Sequence, residues 1–153
     1  MTPAHYQGIT DASIPSVARA GDAGRVRVLA GTYGDAQGPA ETYTPMNVWD
    51  LRLSAGKPVD LAQPEGWSTL VVVLDGTVLL NGDTVLRAAD MATLSSAGSG
   101  VTIEAHGDAK VLLLAGEPID EPVVGYGPFV MTSQQEIMQA IADFNGGKFG
   151  RMA

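Results

Sequence analysis

The sequence contains no cysteine among its 153 residues. Disulfide bridges, thiolate metal sites and cysteine nucleophiles are therefore excluded from the chemistry of this chain. Histidine is nearly as scarce, since His5 and His106 are the only two imidazoles. No apolar run reaches the roughly 18 residues that a membrane-spanning helix needs, and the chain does not begin with a basic segment followed by an apolar one. We therefore expect a soluble, cytoplasmic protein that does not enter a membrane.

Basic residues are also few. The chain has 9 Lys and Arg against 17 Asp and Glu, which gives a formal net charge of −8. Such a chain repels phosphate backbones, so direct binding to nucleic acid is not expected. Hydrophobic residues make up 45% of the sequence and charged residues 17%. This composition can build the core of one domain at this length.

Most of the chain has the pattern of short β-strands separated by glycine turns. Charged and apolar residues alternate from Arg25, as in a half-buried strand, and the β-branched run at 68–74 suits the middle of a sheet. Asp75-Gly76 and Asn81-Gly82 are typical hairpin dipeptides. Short strands at intervals of roughly 8 to 12 residues predict an all-β antiparallel sandwich or barrel.

The stretch 46–53 predicts a strand whose two faces differ. One face carries Asn47, Trp49, Leu51 and Leu53, and the other carries Met46, Val48, Asp50 and Arg52. We therefore expect Asp50 and Arg52 to share an exposed face.

One segment near the end of the chain predicts an amphipathic helix at about 133–145. Ser133 and Glu136 have the spacing of a capping box, in which each side chain bonds backbone N–H groups at the helix start. Ile137, Ile141 and Phe144 form an apolar stripe at helical spacing, and glycines at 146–147 end the helix. The stripe packs either on the chain's own barrel or on another domain or subunit.

The segment 116–150, GEPIDEPVVGYGPFVMTSQQEIMQAIADFNGGKFG, resembles the end of the pirin family of cupins. In that family a GEP-(L/I)-x-EPVV-x-YGPFVM run leads into a terminal helix and a final GKFG. Tyr6, Gln7 and Ile9 are similar to the end of the linker between the two pirin cupin halves. The resemblance runs from about Thr2 to Met152 and covers only the C-terminal half of the family's sequence. It implies a single cupin-type antiparallel jelly-roll barrel with one C-terminal α-helix, formed by residues 25–153 after an N-terminal arm at 1–24.

The positions at which metal cupins carry their ligands hold other residues here. Cupin enzymes bind a divalent metal through histidines of two motifs, because such metals take imidazole and carboxylate donors in an open geometry. The first position reads Gly66, Trp67, Ser68, Thr69, and the second, near 92–101, offers only Ser, Thr and Gly as polar residues. In pirins the metal ligands belong to the N-terminal half, so the resemblance transfers none of them. We expect no metal, no other cofactor and no catalytic residue of a serine triad or phosphate loop.

A binding pocket is predicted at the mouth of the barrel. Its aromatic residues would be Tyr43, Trp49 and Trp67, which can stack on a flat ligand, with Arg52 or Glu104 orienting that ligand. The alternative is that these aromatic rings pack in the core or at its rim.

Two functions remain open from the sequence. The first is a metal-free cupin that acts as a binding or interaction module in regulation, with a protein partner or a small flat ligand. The second is a small cupin enzyme, an isomerase or an oxygenase like the flavonol (quercetin) dioxygenases, which uses the barrel pocket or a metal-bearing partner half. The missing histidines argue against metal-dependent dioxygenase activity. Because a solitary half would expose an apolar face, we expect a homodimer with the arm and the helix near the contact.

Overall fold

The computed structural model describes residues 5–150, in two compact units, Met1–Pro118 and Ile119–Ala153. The first four residues of the predicted arm lie outside the described residues. The described part of the chain forms one α-helix, α1 Gln134–Asn145, and the following strands: β1 Ser16–Ala18, β2 Gly24–Ala30, β3 Thr32–Tyr33, β4 Ala36–Gln37, β5 Met46–Leu53, β6 Pro58–Ala62, β7 Ser68–Asp75, β8 Thr77–Leu80, β9 Thr84–Arg87, β10 Met91–Thr93, β11 Gly100–Ala105, β12 Ala109–Gly116, β13 Val124–Tyr126 and β14 Phe129–Met131.

The unit Met1–Pro118 is built from two main antiparallel sheets. The larger sheet has six strands in the order β1-β2-β5-β12-β7-β10, and the smaller has four in the order β6-β11-β8-β9. Strand β1 comes from the predicted arm, where Val17 pairs with Val26 of β2. The prediction of an all-β antiparallel jelly roll with one C-terminal helix is confirmed.

The core lies between the inner faces of these two sheets. Side chains alternate along each strand, so one set from each sheet points inward. The fully buried inward residues include Val26, Val28, Leu51, Val71, Val111 and Leu113 from the larger sheet and Val59, Leu61, Val78 and Ile103 from the smaller one. The outward positions of β2 hold Arg25 and Arg27.

The expectation of an exposed Asp50 is wrong. The two faces of β5 differ as predicted, and Arg52 is half-buried on the outer face, but Asp50 is only 7% exposed there. The reason is that Arg27 lies directly opposite on β2 and, together with Arg52, contacts the carboxylate. A buried carboxylate is tolerated when cations pair with it.

The two predicted hairpin dipeptides behave differently. Asn81 and Gly82 both have positive φ, 51° and 81°, and join the paired strands β8 and β9 as a hairpin turn of the primed type requires. Asp75-Gly76 instead connects β7 and β8, which belong to different sheets. A Cβ on Gly76 would lie 2.7 Å from the carbonyl oxygen of Asp108, so glycine permits this crossing between sheets.

The unit Ile119–Ala153 contains the β13–β14 hairpin and α1, which contact each other. Ser133 caps the helix by accepting a 3.3 Å hydrogen bond from the N–H of Glu136. The Glu136 carboxylate in turn accepts from the N–H of Thr132 at 3.1 Å, whereas a capping box uses the N–H of the capping residue itself, here Ser133. The ring centroid of Phe129 lies 6.3 Å from the ring centroid of Phe144 and 6.1 Å from that of Phe149.

Candidate functional site

Three polar side chains are buried at one end of the interior of the jelly roll. Asn47 on β5 and Thr69 on β7 both lie opposite Ala115 of β12, so the three share the inner face of the larger sheet. Gln63 follows β6 of the smaller sheet. Asn47, Gln63 and Thr69 are 8%, 7% and 5% exposed, respectively. Polar groups this deeply buried require hydrogen-bond partners.

A hydrogen-bond chain connects the two amides. The Asn47 Nδ2 donates to Gln63 Oε1 at 3.0 Å, and Asn47 Oδ1 accepts from the backbone N–H of Thr32 at 3.2 Å. Gln63 Nε2 and Trp49 Nε1 are also buried, yet neither has a hydrogen-bond partner within residues 5–150. Gln63 and Trp49 therefore each keep an unsatisfied, buried N–H donor.

A small cavity opens at this end of the jelly roll. It has a volume of about 120 Å³ and is lined by the following residues: Gln63, Pro64, Trp67, Thr69, Asn81, Leu94, Ser95, Ser96, Ala97, Gly98 and Gly100. We call it the mouth cavity. Backbone hydrogen bonds of 2.9 Å, from Gly66 N to Ser96 O and from Leu94 N to Thr69 O, hold its two walls together.

The mouth cavity brings together the two stretches at which a metal cupin would carry its ligands. Trp67 and Thr69 come from the first stretch, and the 94–100 loop comes from the second. The polar lining consists of amides and hydroxyls, whereas iron, nickel and manganese sites need imidazole or carboxylate donors. Among residues 5–150, no three His, Cys, Asp or Glu side chains are grouped as a metal site. The donor set of the mouth cavity therefore does not fit a catalytic transition metal.

The two histidines lie elsewhere in the first unit. His5 Nδ1 is 3.2 Å from the hydroxyl of Tyr43, and His5 Nε2 is 3.5 Å from a carboxylate oxygen of Glu41. His106 lies in the turn between β11 and β12 and lines a surface groove with Glu104. Neither imidazole lines the mouth cavity.

The five residues of the predicted pocket occupy different parts of the unit. Trp67 lines the mouth cavity and is half-buried. Trp49 is buried in the core, while Tyr43 is 67% exposed on a loop. Arg52 lies on the outer face of the larger sheet, and Glu104 lies on the smaller sheet. Of these five residues, Trp67 is therefore the one that lines the mouth cavity.

Sequence reasoning missed the two amides that define the site. Asn47 is the one polar residue on the inner face of β5, which is a signal that the strand pattern contained. Gln63 directly precedes the Pro64-Glu65-Gly66 turn and gave no comparable signal, because its partner lies on another strand 16 residues away. Tyr33 was also missed, and its ring packs edge-on against Trp49 with the centroids 4.9 Å apart.

No helix within residues 5–150 is both long and apolar enough to span a bilayer.

Comparison with known proteins gives a consistent family assignment. Residues 48–150 match the family described as the Pirin C-terminal cupin domain. A protein of Pseudomonas aeruginosa named "Putative quercetin 2,3-dioxygenase" is 49% identical over 151 residues, covering 99% of this chain and 52% of that protein. Human Pirin is 30% identical over 154 residues, covering 98% of this chain and 52% of Pirin. The chain thus spans about half the length of the curated relatives it matches.

A solved structure supports the same assignment. One crystal structure of quercetin 2,3-dioxygenase from Acinetobacter baumannii superposes with a TM-score of 0.91 and 47% sequence identity. The match covers 100% of this chain and 53% of that chain. The similarity therefore extends to the fold of the whole chain and to about half of the larger protein.

Proposed function

Because this chain belongs to the pirin family, through its C-terminal cupin domain, we propose that it acts as a binding or interaction module without a resident metal. The observation that carries this proposal is the neutral donor set of the mouth cavity. Gln63, Thr69 and Asn81 provide amides and a hydroxyl in the region where a metal cupin places imidazoles. Such groups bind ligands by hydrogen bonding and do not act as Lewis acids.

The size of the mouth cavity limits what it can enclose. Its volume of about 120 Å³ is well below the ~300 Å³ at which pockets begin to enclose drug-sized ligands. A ligand would insert one polar edge toward Gln63 Nε2 and leave a flat portion outside against Trp67. This arrangement supports a small flat ligand whose acceptor group satisfies the buried donor.

Two measurements test the binding module together. Elemental mass spectrometry of untagged protein should find far less than one transition metal per chain. Anaerobic titration with quercetin, used as a flat probe, should shift the NMR signal of the Trp67 indole N–H in a saturable manner. The buried Trp49 indole is the internal control and should shift less. A stoichiometric metal, or equal changes at both indoles, would contradict the proposal.

A second function is favoured by the names of the relatives. Proteins from Pseudomonas aeruginosa and Vibrio cholerae are named "Putative quercetin 2,3-dioxygenase" and match this chain at 49% and 38% identity. In this alternative the chain takes part in flavonol oxygenation, using metal held by unexpected residues or by a separate partner half. Oxygen uptake with quercetin that depends on added iron, nickel or manganese would favour this enzyme over the binding module.

Homodimer formation is a further part of the proposal. In the unit Ile119–Ala153, several large apolar side chains are 62% to 80% exposed, namely Val123, Tyr126, Val130, Met138 and Phe144. Apolar patches of this kind commonly mark protein interfaces. A second copy would cover them in a twofold arrangement, the commonest closed assembly.

Sedimentation velocity at micromolar concentration tests the dimer. Met138→Glu should convert the dimer to monomer, because the new charge would be buried at the contact. Gln135→Glu adds the same charge at another exposed position of the helix and should leave the dimer intact. A monomeric unmodified protein would contradict the dimer.

A further inference from the structure

A row of cations crosses the outer face of the six-stranded sheet. Arg25 of β2 lies directly opposite Arg52 of β5, and Arg52 lies directly opposite Lys110 of β12. Like charges in such cross-strand positions repel one another and destabilise the sheet. The chain nevertheless places three of its 9 basic residues in this row, despite a net charge of −8. Anionic groups near the row would relieve this repulsion.

The carboxylates near the row leave its β2 end uncompensated. The Asp50 Oδ2 accepts 2.8 Å hydrogen bonds from both Arg52 and Arg27. Lys110 Nζ lies 3.4 Å from Asp75 Oδ2 at the opposite end. Arg25 is exposed and forms no ion pair within residues 5–150. The free charge is therefore concentrated at Arg25, next to an Arg52 whose position Asp50 fixes.

The cation row borders an open, shallow cleft. The cleft has a volume of about 410 Å³ and is lined by Ala18, Gly24, Arg25, Arg52, Leu53, Ser54, Asp75, Asp108, Ala109 and Lys110. Gly24 has a φ of +111°, and a Cβ there would lie 2.0 Å from the carbonyl oxygen of Arg52. Glycine therefore lets β2 approach β5 closely at this point. A cleft of this volume falls within the ~300 to 1,000 Å³ range of small-molecule sites.

We infer that this cleft binds the phosphate or carboxylate group of a small polar molecule. The guanidinium groups of Arg25 and Arg52 present planar sets of N–H donors that match the oxygens of either group. Asp75 and Asp108 line the cleft as well, and their carboxylates can accept hydrogen bonds from hydroxyl or amino groups of the same ligand. The cleft therefore suits a small anion that also carries donor groups.

This anion cleft is independent of the mouth cavity. Its cations Arg25, Arg52 and Lys110 lie on the outer face of the larger sheet, whereas Gln63 and Thr69 are buried at the other site, inside the jelly roll. Anion binding and the proposed binding function can therefore each fail without affecting the other.

NMR titration of the arginine side chains tests the inference. Inorganic phosphate and succinate are titrated separately, with chloride holding the ionic strength constant because salt screens exposed charges. We expect saturable shifts of the Arg25 and Arg52 Nε–H signals, with a dissociation constant of about 1 mM for the better anion. Saturation by phosphate alone, or by succinate alone, supports the cleft and identifies the class of its ligand. Shifts that rise linearly with both anions would overturn it.

Two variants distinguish a specific anion site in the cleft from general attraction of anions to exposed basic residues. Arg25→Gln removes the unpaired guanidinium and should weaken binding about tenfold, as expected for the loss of a charge-assisted hydrogen bond. Arg87→Gln is the matched control, because Arg87 is exposed on β9 of the other sheet. Its binding should equal that of the unmodified protein. Equal affinities for all three proteins would overturn the inference, since Arg25 would then have no role.

Discussion

Asn47 Nδ2 donates a 3.0 Å hydrogen bond to Gln63 Oε1 inside the jelly roll, linking the first inward position of β5 to the residue that follows β6. Both side chains are buried, so water cannot replace this bond if one partner is lost. The pair therefore ties the two sheets together at the mouth cavity.

Replacing Gln63 by leucine should destabilise the protein by about 1 to 3 kcal/mol, because Asn47 Nδ2 would be left buried without an acceptor. Urea unfolding measures this loss. The double variant Asn47→Leu/Gln63→Leu should lose less stability than the sum of the two single variants. The reason is that the double variant contains neither an unpaired Asn47 Nδ2 nor an unpaired Gln63 Oε1. Gln135→Leu, at an exposed helix position, should change stability by no more than about 0.5 kcal/mol. Strict additivity of the two single changes would show that the amides are not coupled.

Asp50→Asn should cost about 3 kcal/mol, since a nearly buried carboxylate that pairs with two arginines becomes neutral. The Asp50 side chain is only 10% exposed and the Arg27 side chain 18%, so salt should screen this pair weakly. Urea unfolding at low and high salt checks both points. Asp35→Asn is the control, because Asp35 lies exposed between β3 and β4. A similar, salt-sensitive loss in both variants would contradict the importance of the buried pair.

Gly24→Ala should destabilise the protein by more than the ~1 to 3 kcal/mol typical of an unfavourable backbone conformation. The reason is that the added Cβ combines a φ of +111° with a 2.0 Å approach to the Arg52 carbonyl oxygen. Gly107→Ala is the matched control, since a Cβ at Gly107 meets no atom within 4 Å. Thermal unfolding should separate the two variants clearly. Equal melting temperatures would show that β2 can shift away from β5 at little cost.

The start of α1 should weaken in acid. The Thr132 hydroxyl donates a 2.6 Å hydrogen bond to Glu136, and this bond, together with those from the Thr132 N–H and the Ser133 hydroxyl, lowers the pKa of Glu136 below its ordinary 4.5. Because the folded pKa is the lower one, the stabilisation is present above pH 4.5 and is lost as the pH falls through the folded pKa. The protection factors of the amides at residues 134–137, which compare intrinsic with observed hydrogen-exchange rates, should therefore decrease as the pH falls below 4.5. Glu136→Gln should remove this pH dependence, and an unchanged dependence would contradict the assignment.

Local patterns predicted much of the fold because they depend on neighbouring residues in the sequence. The alternation along β2 and β5, the Asn81-Gly82 turn and the Ser133 cap all follow from spacings of a few residues. The burial of Asp50 could not be predicted in this way, since it depends on the pairing of β5 with a strand that carries Arg27. The Gln63–Asn47 pair and the crossing at Gly76 likewise depend on which strands become neighbours.

The candidate pocket shows the same difference between features set by local sequence and features set by the packing of distant strands. Trp67 could be placed at the mouth because the turn before it and the strand after it are local features. Trp49 was expected there as well, but the direction of β5 places its ring in the core against Tyr33. The position of an aromatic ring along its strand therefore decides whether it lines the mouth cavity or packs in the core.

The charged outer face of β2 also disfavours pairing of β2 with β5 in a wrong register. Arg25 and Arg27 alternate with Val26 and Val28, so a slip of one residue against β5 would exchange the two sets between surface and core. Burying two unpaired guanidinium groups would cost several kcal/mol for each of them. Misregistered pairing of β2 with β5 is thus strongly disfavoured relative to the native alignment.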